Sequence, residues 1–234
     1  MGAQAAPPGA RPLIPLGAAL ALMALYYAGL ATGHAAICMV AKPIPAGCLA
    51  LLALGAPPSR YARWMAAGLA ISVFGDLFLE LGQSSFLLGV GSFLLAHLCY
   101  IAAFVSAQPS LRPIRLIPFL VWGGVAFWLI SARLGPMLAP VAVYMCVICC
   151  MMWRSAAALD PRGPCAFARW SGLIGALLFG ASDTLIALGR WHPSVRASDL
   201  LVMTVYWSGQ IGLALSAALA EPAIEAGDNA LRSE

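Results

Sequence analysis

The chain has 234 residues, 62% of them hydrophobic and 9% charged, with a mean hydropathy of +0.89 and a formal net charge of +4. That composition excludes an ordinary soluble domain and predicts an all-α polytopic membrane protein, since the apolar runs are too long and alternate too little for transmembrane strands. The positive balance would suggest nucleic acid in a soluble protein, but here it follows from where the arginines fall, and no nucleic-acid partner is expected.

A membrane-crossing helix needs about 20 apolar residues, and eight such runs follow one another at 13–31, 35–54, 62–81, 86–106, 114–131, 136–153, 168–188 and 200–220. They make one transmembrane domain, 13–220, between a cytoplasmic segment 1–12 and a cytoplasmic tail 221–234 that reads as disordered. Residues 1–34 also fit a cleaved leader, but the apolar run is long for one and is read as a span.

Span two holds the sole lysine, Lys42, followed by Pro43 and Pro45. These prolines remove two backbone donors and crowd the carbonyls of Met39 and Ala41, so the helix should bend or open beside Lys42. Span three places Ser72, Asp76 and Glu80 at i, i+4 and i+8, on one face. Span four carries the stripe Phe86, Gly89, Phe93, His97, Tyr100 and Phe104. Span six brings Tyr144 together with Cys146, Cys149 and Cys150; the metal reading of those thiols competes with simple packing, which is preferred for a small apolar residue. Span seven lines up Gly172, Ala176, Phe179, Asp183 and Ala187, a small-residue face suited to close helix approach, and span eight lines up Asp199, Met203, Tyr206 and Gln210. The segment Gly75 to Gly82 resembles Ser182 to Gly189, which predicts a parallel 4+4 duplication with spans three and seven running the same way.

Nine arginines (Arg11, Arg60, Arg63, Arg112, Arg115, Arg154, Arg162, Arg169, Arg232) fall on one side of this arrangement and three (Arg133, Arg190, Arg196) on the other. The bias puts both termini in the cytoplasm and the protein in the cell's inner membrane. Six of seven cysteines lie in spans and Cys165 in a cytoplasmic loop, so no disulfide framework is expected.

A charge at mid-span costs about 3 kcal/mol on insertion scales unless it meets a partner or a wet cavity. Lys42, Asp76, Glu80 and Asp183 are therefore expected to share one polar site in the outer half of the bundle. His97, Tyr100, Tyr144, Ser182, Tyr206 and Gln210 enter the same depth and are candidates to position water or substrate.

Taken in order, Lys42-Pro43, Gly75-Asp76, Phe86…Gly89…Phe93…His97…Tyr100, Ser182-Asp183 and Tyr206…Gln210 resemble the YhhN-like family of small membrane proteins. The resemblance runs from about residue 35 to 215 and departs at Glu80, where an apolar residue is expected in many members. It implies lysoplasmalogenase activity: hydrolysis of the vinyl ether of a lysophospholipid to a fatty aldehyde and a glycerophospho-alcohol.

Such chemistry needs an acid that protonates carbon, a water, and an anion beside the resulting cation. Two desolvated carboxylates at one depth supply this, one protonated and one ionised; Asp76 and Asp183 are the expected pair, with Lys42 holding one as an anion or meeting the lipid phosphate. No cofactor and no metal are expected. A mixed Asp76/Asp183/His97 metal site, a serine hydrolase built on Ser72, Ser92 or Ser182 with His97, a proton-coupled carrier, and a purely structural Lys-Asp network are the competing readings.

Overall fold

In lipid every backbone donor and acceptor must be satisfied within its own segment, which makes long apolar runs fold as helices. The computed structural model describes residues 13–159 and 166–220, and the regular structure of those residues is entirely helical. The expected terminal segments 1–12 and 221–234, Cys165, and Arg11, Arg162 and Arg232 lie outside them.

The helices are α1 (Leu13–Thr32), α2 (Ala35–Ala41), α3 (Ile44–Leu54), α4 (Arg60–Glu80), α5 (Phe86–Ala107), α6 (Ile117–Ser131), α7 (Leu138–Ala158), α8 (Ala166–Trp191) and α9 (Asp199–Ala218). With α2 and α3 counted as one crossing, eight helical segments are long and apolar enough to span a membrane. The interruption between α2 and α3 falls at Lys42 and Pro43, where the prolines predict it. Both residues keep right-handed dihedrals, so the path of the span continues while its hydrogen-bond ladder lapses.

Connections are tight and their chemistry is local. Ser59 caps α4 by accepting from Ala62 N at 3.0 Å, and Ser198 caps α9 by accepting from Leu201 N at 3.3 Å. Gly82, at φ +98, makes the reversal between α4 and α5 that an L side chain would resist.

The most extensive seams join α4 to α5 and α8 to α9, the third with the fourth span and the seventh with the eighth. Gly75 lets the Phe93 ring lie on α4: a Cβ there would sit 2.7 Å from ring carbons. Between α8 and α9 the backbones themselves touch. A Cβ on Gly175 would meet Leu213 N at 2.6 Å, and one on Gly209 would meet Phe179 N at 2.8 Å. Helix α3 packs against α1, α4 and α9, α7 bridges α5 and α8, and α6 rides mainly on α7. Leu51, Leu120, Val121 and Trp128 point outward, as lipid-facing residues do.

One end of the bundle is held by arginines. At the end of α7 the carbonyls of Ala156 and Leu159 accept from Arg115 Nη1 at 2.5 and 2.9 Å, and Leu159 O also accepts from Arg112 Nη1 at 3.0 Å. Arg154, buried on α7, donates to Ser110 O at 3.0 Å and to Gln108 O beyond the end of α5. Of the cysteines, the six described are free thiols, and Cys149 Sγ lies 3.2 Å from Phe119 O.

Candidate active site

At the opposite end, α1, α2, α4, α5, α8 and α9 surround a cavity of about 760 Å³. Lys42, Asp76, Glu80, Ser182, Asp183 and Tyr206 line it, together with apolar Leu79, Phe86, Phe93 and Met203. Asp76 thus shares one cavity with Lys42, Glu80 and Asp183. A smaller chamber of about 60 Å³ adjoins Asp183 and shares Leu79, Phe86, Phe93 and Ile186 with the main cavity; Val90, Val141, Ile148 and Trp191 complete its apolar wall between α5, α7 and α8.

Each aspartate is held through one oxygen. Asp76, only 2% exposed, accepts at Oδ2 from the Tyr206 hydroxyl at 2.8 Å. Tyr206 in turn accepts from Gln210 Nε2 at 2.6 Å, and Gln210 Oε1 accepts from the Tyr100 hydroxyl at 3.4 Å. Tyr100 is also 3.2 Å from Ser72 Oγ, which donates to Gly68 O, so the chain runs from α4 through α9 and α5 back to α4. Asp183 accepts at Oδ2 from Tyr144 OH at 3.0 Å and faces His97 Nε2 at 3.3 Å, a distance suited to ion pairing but not aligned as a hydrogen bond. His97 Nδ1 is 2.5 Å from Phe93 O. Because a carbonyl only accepts, Nδ1 is the donor in that contact. Both Oδ1 atoms lack a hydrogen-bond partner among the described residues and remain available to an incoming molecule.

Phe179 sits at the centre of the second layer, with His97 at 4.7 Å, Tyr206 at 5.2 Å, Phe93 at 5.9 Å and Tyr100 at 6.0 Å between ring centroids. These edge-to-face contacts fix the rings that fix the carboxylates. His97, Tyr100 and Gln210 are fully buried and stand behind the cavity wall, not in it. Tyr144 reaches Asp183 from the side of the small chamber, and Ser182 Oγ donates to Val202 O at 3.2 Å across the α8–α9 seam.

Lys42 meets neither aspartate directly: Nζ donates to Glu80 Oε2 at 2.7 Å. Glu80 is one turn beyond Asp76 on the same face of α4, and the long lysine side chain extends to that level. The pair is only partly exposed, 15% and 26%, so breaking it leaves one charge poorly solvated. Lys42→Met or Glu80→Leu alone should each lower the thermal stability of the detergent-solubilised protein, by about 1–2 kcal/mol, and the double substitution should recover most of it. Additive losses in that cycle would show that the two side chains are not coupled.

Among the described residues no group of three or more His, Cys, Asp or Glu converges as metal ligands do. Two cavity-lining residues carried only a topological meaning in the sequence, Arg190 and Arg196. A usable signal existed for the first, since Arg190 is seven residues beyond Asp183 and so shares its helix face.

The YhhN family model matches residues 37–217. The chain is 32% identical over 193 residues to the lysoplasmalogenase of Mycobacterium tuberculosis (strain CDC 1551 / Oshkosh), covering 76% of this chain and 67% of that protein. It is 32% identical over 178 residues to human lysoplasmalogenase TMEM86B, covering 75% and 73%. With human lysoplasmalogenase TMEM86A it shares 35% identity over 167 residues, covering 68% and 66%. No solved structure matches.

Proposed function

The chain belongs to the YhhN family, and from that premise we propose that it is an integral membrane lysoplasmalogenase that hydrolyses the vinyl ether of a lysophospholipid by paired-carboxylate catalysis. The observation that carries the proposal is Asp76 and Asp183 lining one cavity, with ionisable groups at its mouth and an apolar chamber at its flank.

Asp76 is the acid. It is the more deeply buried of the two, only 2% exposed, and a single phenol holds one oxygen while the other is left to face the alkenyl carbon. Asp183, with Tyr144 and His97 converging on one oxygen, is the anion. Asp76 delivers its proton to the second alkenyl carbon, and the electrons of the double bond leave an oxocarbenium ion at the first. Asp183 stabilises that cation and takes a proton from the water that adds to it. The resulting hemiacetal breaks its carbon–oxygen bond to the glycerol: Asp183 gives the proton it took from water to the departing glycerol oxygen, the hemiacetal hydroxyl returns a proton to Asp76, and a fatty aldehyde and a glycerophospho-alcohol remain with both carboxyls reset. One water is consumed in all.

Lys42 and Glu80 hold the broken span against α4 beside this site, and the Tyr206–Gln210–Tyr100 chain orients Asp76. The start of the alkenyl chain occupies the apolar chamber, which is too small for a whole fatty chain, so the remainder lies in lipid. Both termini face the cytoplasm and the cavity opens to the other side of the inner membrane, the orientation the arginine bias supports.

The test is aldehyde release by the purified protein in detergent. Lysoplasmenyl-ethanolamine should yield fatty aldehyde and the ester-linked lysolipid should not. Absence of aldehyde, with solute movement seen only across sealed vesicles, would replace the hydrolase by a carrier.

A further inference from the structure

We infer that Arg190 and Arg196 form a phosphate-binding rim that holds the phosphodiester of the lysolipid at the cavity mouth while its alkenyl group lies between the two aspartates. The inference rests on the hydrolase reading above and adds to it the part of the substrate that is recognised.

Both arginines line the cavity and both are exposed. Arg190 is pre-organised: its guanidinium lies 3.9 Å over the Phe86 ring and 5.5 Å from the Trp191 ring, and Nη2 donates to Gln83 Oε1 at 2.5 Å. These contacts fix the plane while using one of five donors and none of the charge. Arg196 makes no hydrogen bond or ion pair among the described residues. Lys42 is already matched to Glu80, so the remaining charges at the mouth are the two arginines and Asp199, which leaves one positive charge for a phosphodiester that carries one negative.

The spacing fits the ligand. Arg190 stands two turns above Asp183 on α8, about 10 Å nearer the mouth at 1.5 Å per residue. Six bonds separate the phosphorus of a 1-alkenyl lysophospholipid from its first alkenyl carbon, roughly 7 Å when extended, since a chain advances about 3.5 Å per three bonds. A guanidinium–phosphate hydrogen bond of about 2.8 Å spans the remainder. The rise between the two residues along α8 is thus of the same length as the path from phosphate to vinyl ether.

The experiment compares wild type, Arg190→Gln, Arg196→Gln and the double variant on two substrates, lysoplasmenyl-ethanolamine and the 1-alkenylglycerol that lacks phosphate. With the phosphorylated substrate each single substitution should raise KM roughly tenfold while kcat stays within about twofold, and Arg190→Lys should recover part of the loss by keeping the charge. On alkenylglycerol the variants and wild type should converge. Arg196→Gln removes no contact within the protein, so its result does not depend on preserving the Arg190 stack. Variants that slow both substrates equally, or neither, would overturn the phosphate assignment with the hydrolase intact. Wild-type protein that cleaves neither substrate would remove the hydrolase reading and the rim with it.

Discussion

Asp76→Asn should reduce aldehyde release from lysoplasmenyl-ethanolamine by about 10²–10⁴-fold while the protein remains folded in detergent, the loss expected when a general acid is deleted. Asparagine keeps the shape of the side chain and can still accept from Tyr206, so the second layer around Phe179 has no reason to move. It cannot give a proton to carbon. Asp183→Asn should be nearly as damaging for a different reason, since an amide neither stabilises the oxocarbenium ion nor receives the proton of the attacking water. The two losses should not multiply in the double variant, because both residues serve one transition state. In D2O the wild-type product aldehyde should carry one solvent deuterium on its second carbon, the position Asp76 protonates. Near-normal turnover by a well-folded Asp76→Asn protein would return the Asp76 network to a purely structural role.

Gly175→Ala and Gly209→Ala should each destabilise the protein by about 1–3 kcal/mol, and Gly175→Val should prevent it from folding. In a helix an alanine normally gains about 1 kcal/mol over glycine, so the expected sign is reversed by contact alone. The added Cβ at Gly209 would face Phe179 N at 2.8 Å and Gly175 O at 3.0 Å, and main chain cannot swing aside as a flexible side chain can. Gly91 supplies the control: nothing lies within 4 Å of a Cβ there, and Gly91→Ala should be neutral or slightly stabilising. Thermal unfolding in detergent measures all four. Because Asp183 rides on α8 and Tyr206 on α9, separating these helices should also lower turnover in the surviving alanine variants.

The number and order of the helical segments, and the break at Lys42-Pro43, are legible in the sequence because hydropathy and missing backbone donors act locally. The gathering of Asp76, Glu80, Lys42 and Asp183 is legible too, since charges in apolar helices must find one another or water. Which charge meets which is not. Lys42 bonds to Glu80, the residue at which the family resemblance is weakest, because the rotation of α2 and α3 against α4 is set by packing that hydropathy does not encode. Likewise His97, Tyr100 and Gln210 share the depth of the aspartates yet stand behind them, a distinction made by the facing helices α7, α8 and α9. The 4+4 duplication has only its original short sequence match and the corresponding places of the two tightest seams in its favour.

The arginine caps at the far end bear on how the chain is made. On the orientation proposed above, Arg112, Arg115 and Arg154 carry charge that biases insertion, and the same side chains bond the chain ends of α5 and α7 once the spans have paired. During biogenesis one group thus gives two instructions at different times, first to the translocation machinery and later to its neighbours. Neutralising these residues to invert the protein would mix wrongly oriented molecules with correctly oriented ones whose helix ends unravel. Lysine at position 115 separates the two outcomes, because it retains the orienting charge and lacks the planar guanidinium whose Nη1 is held against the carbonyls of Ala156 and Leu159.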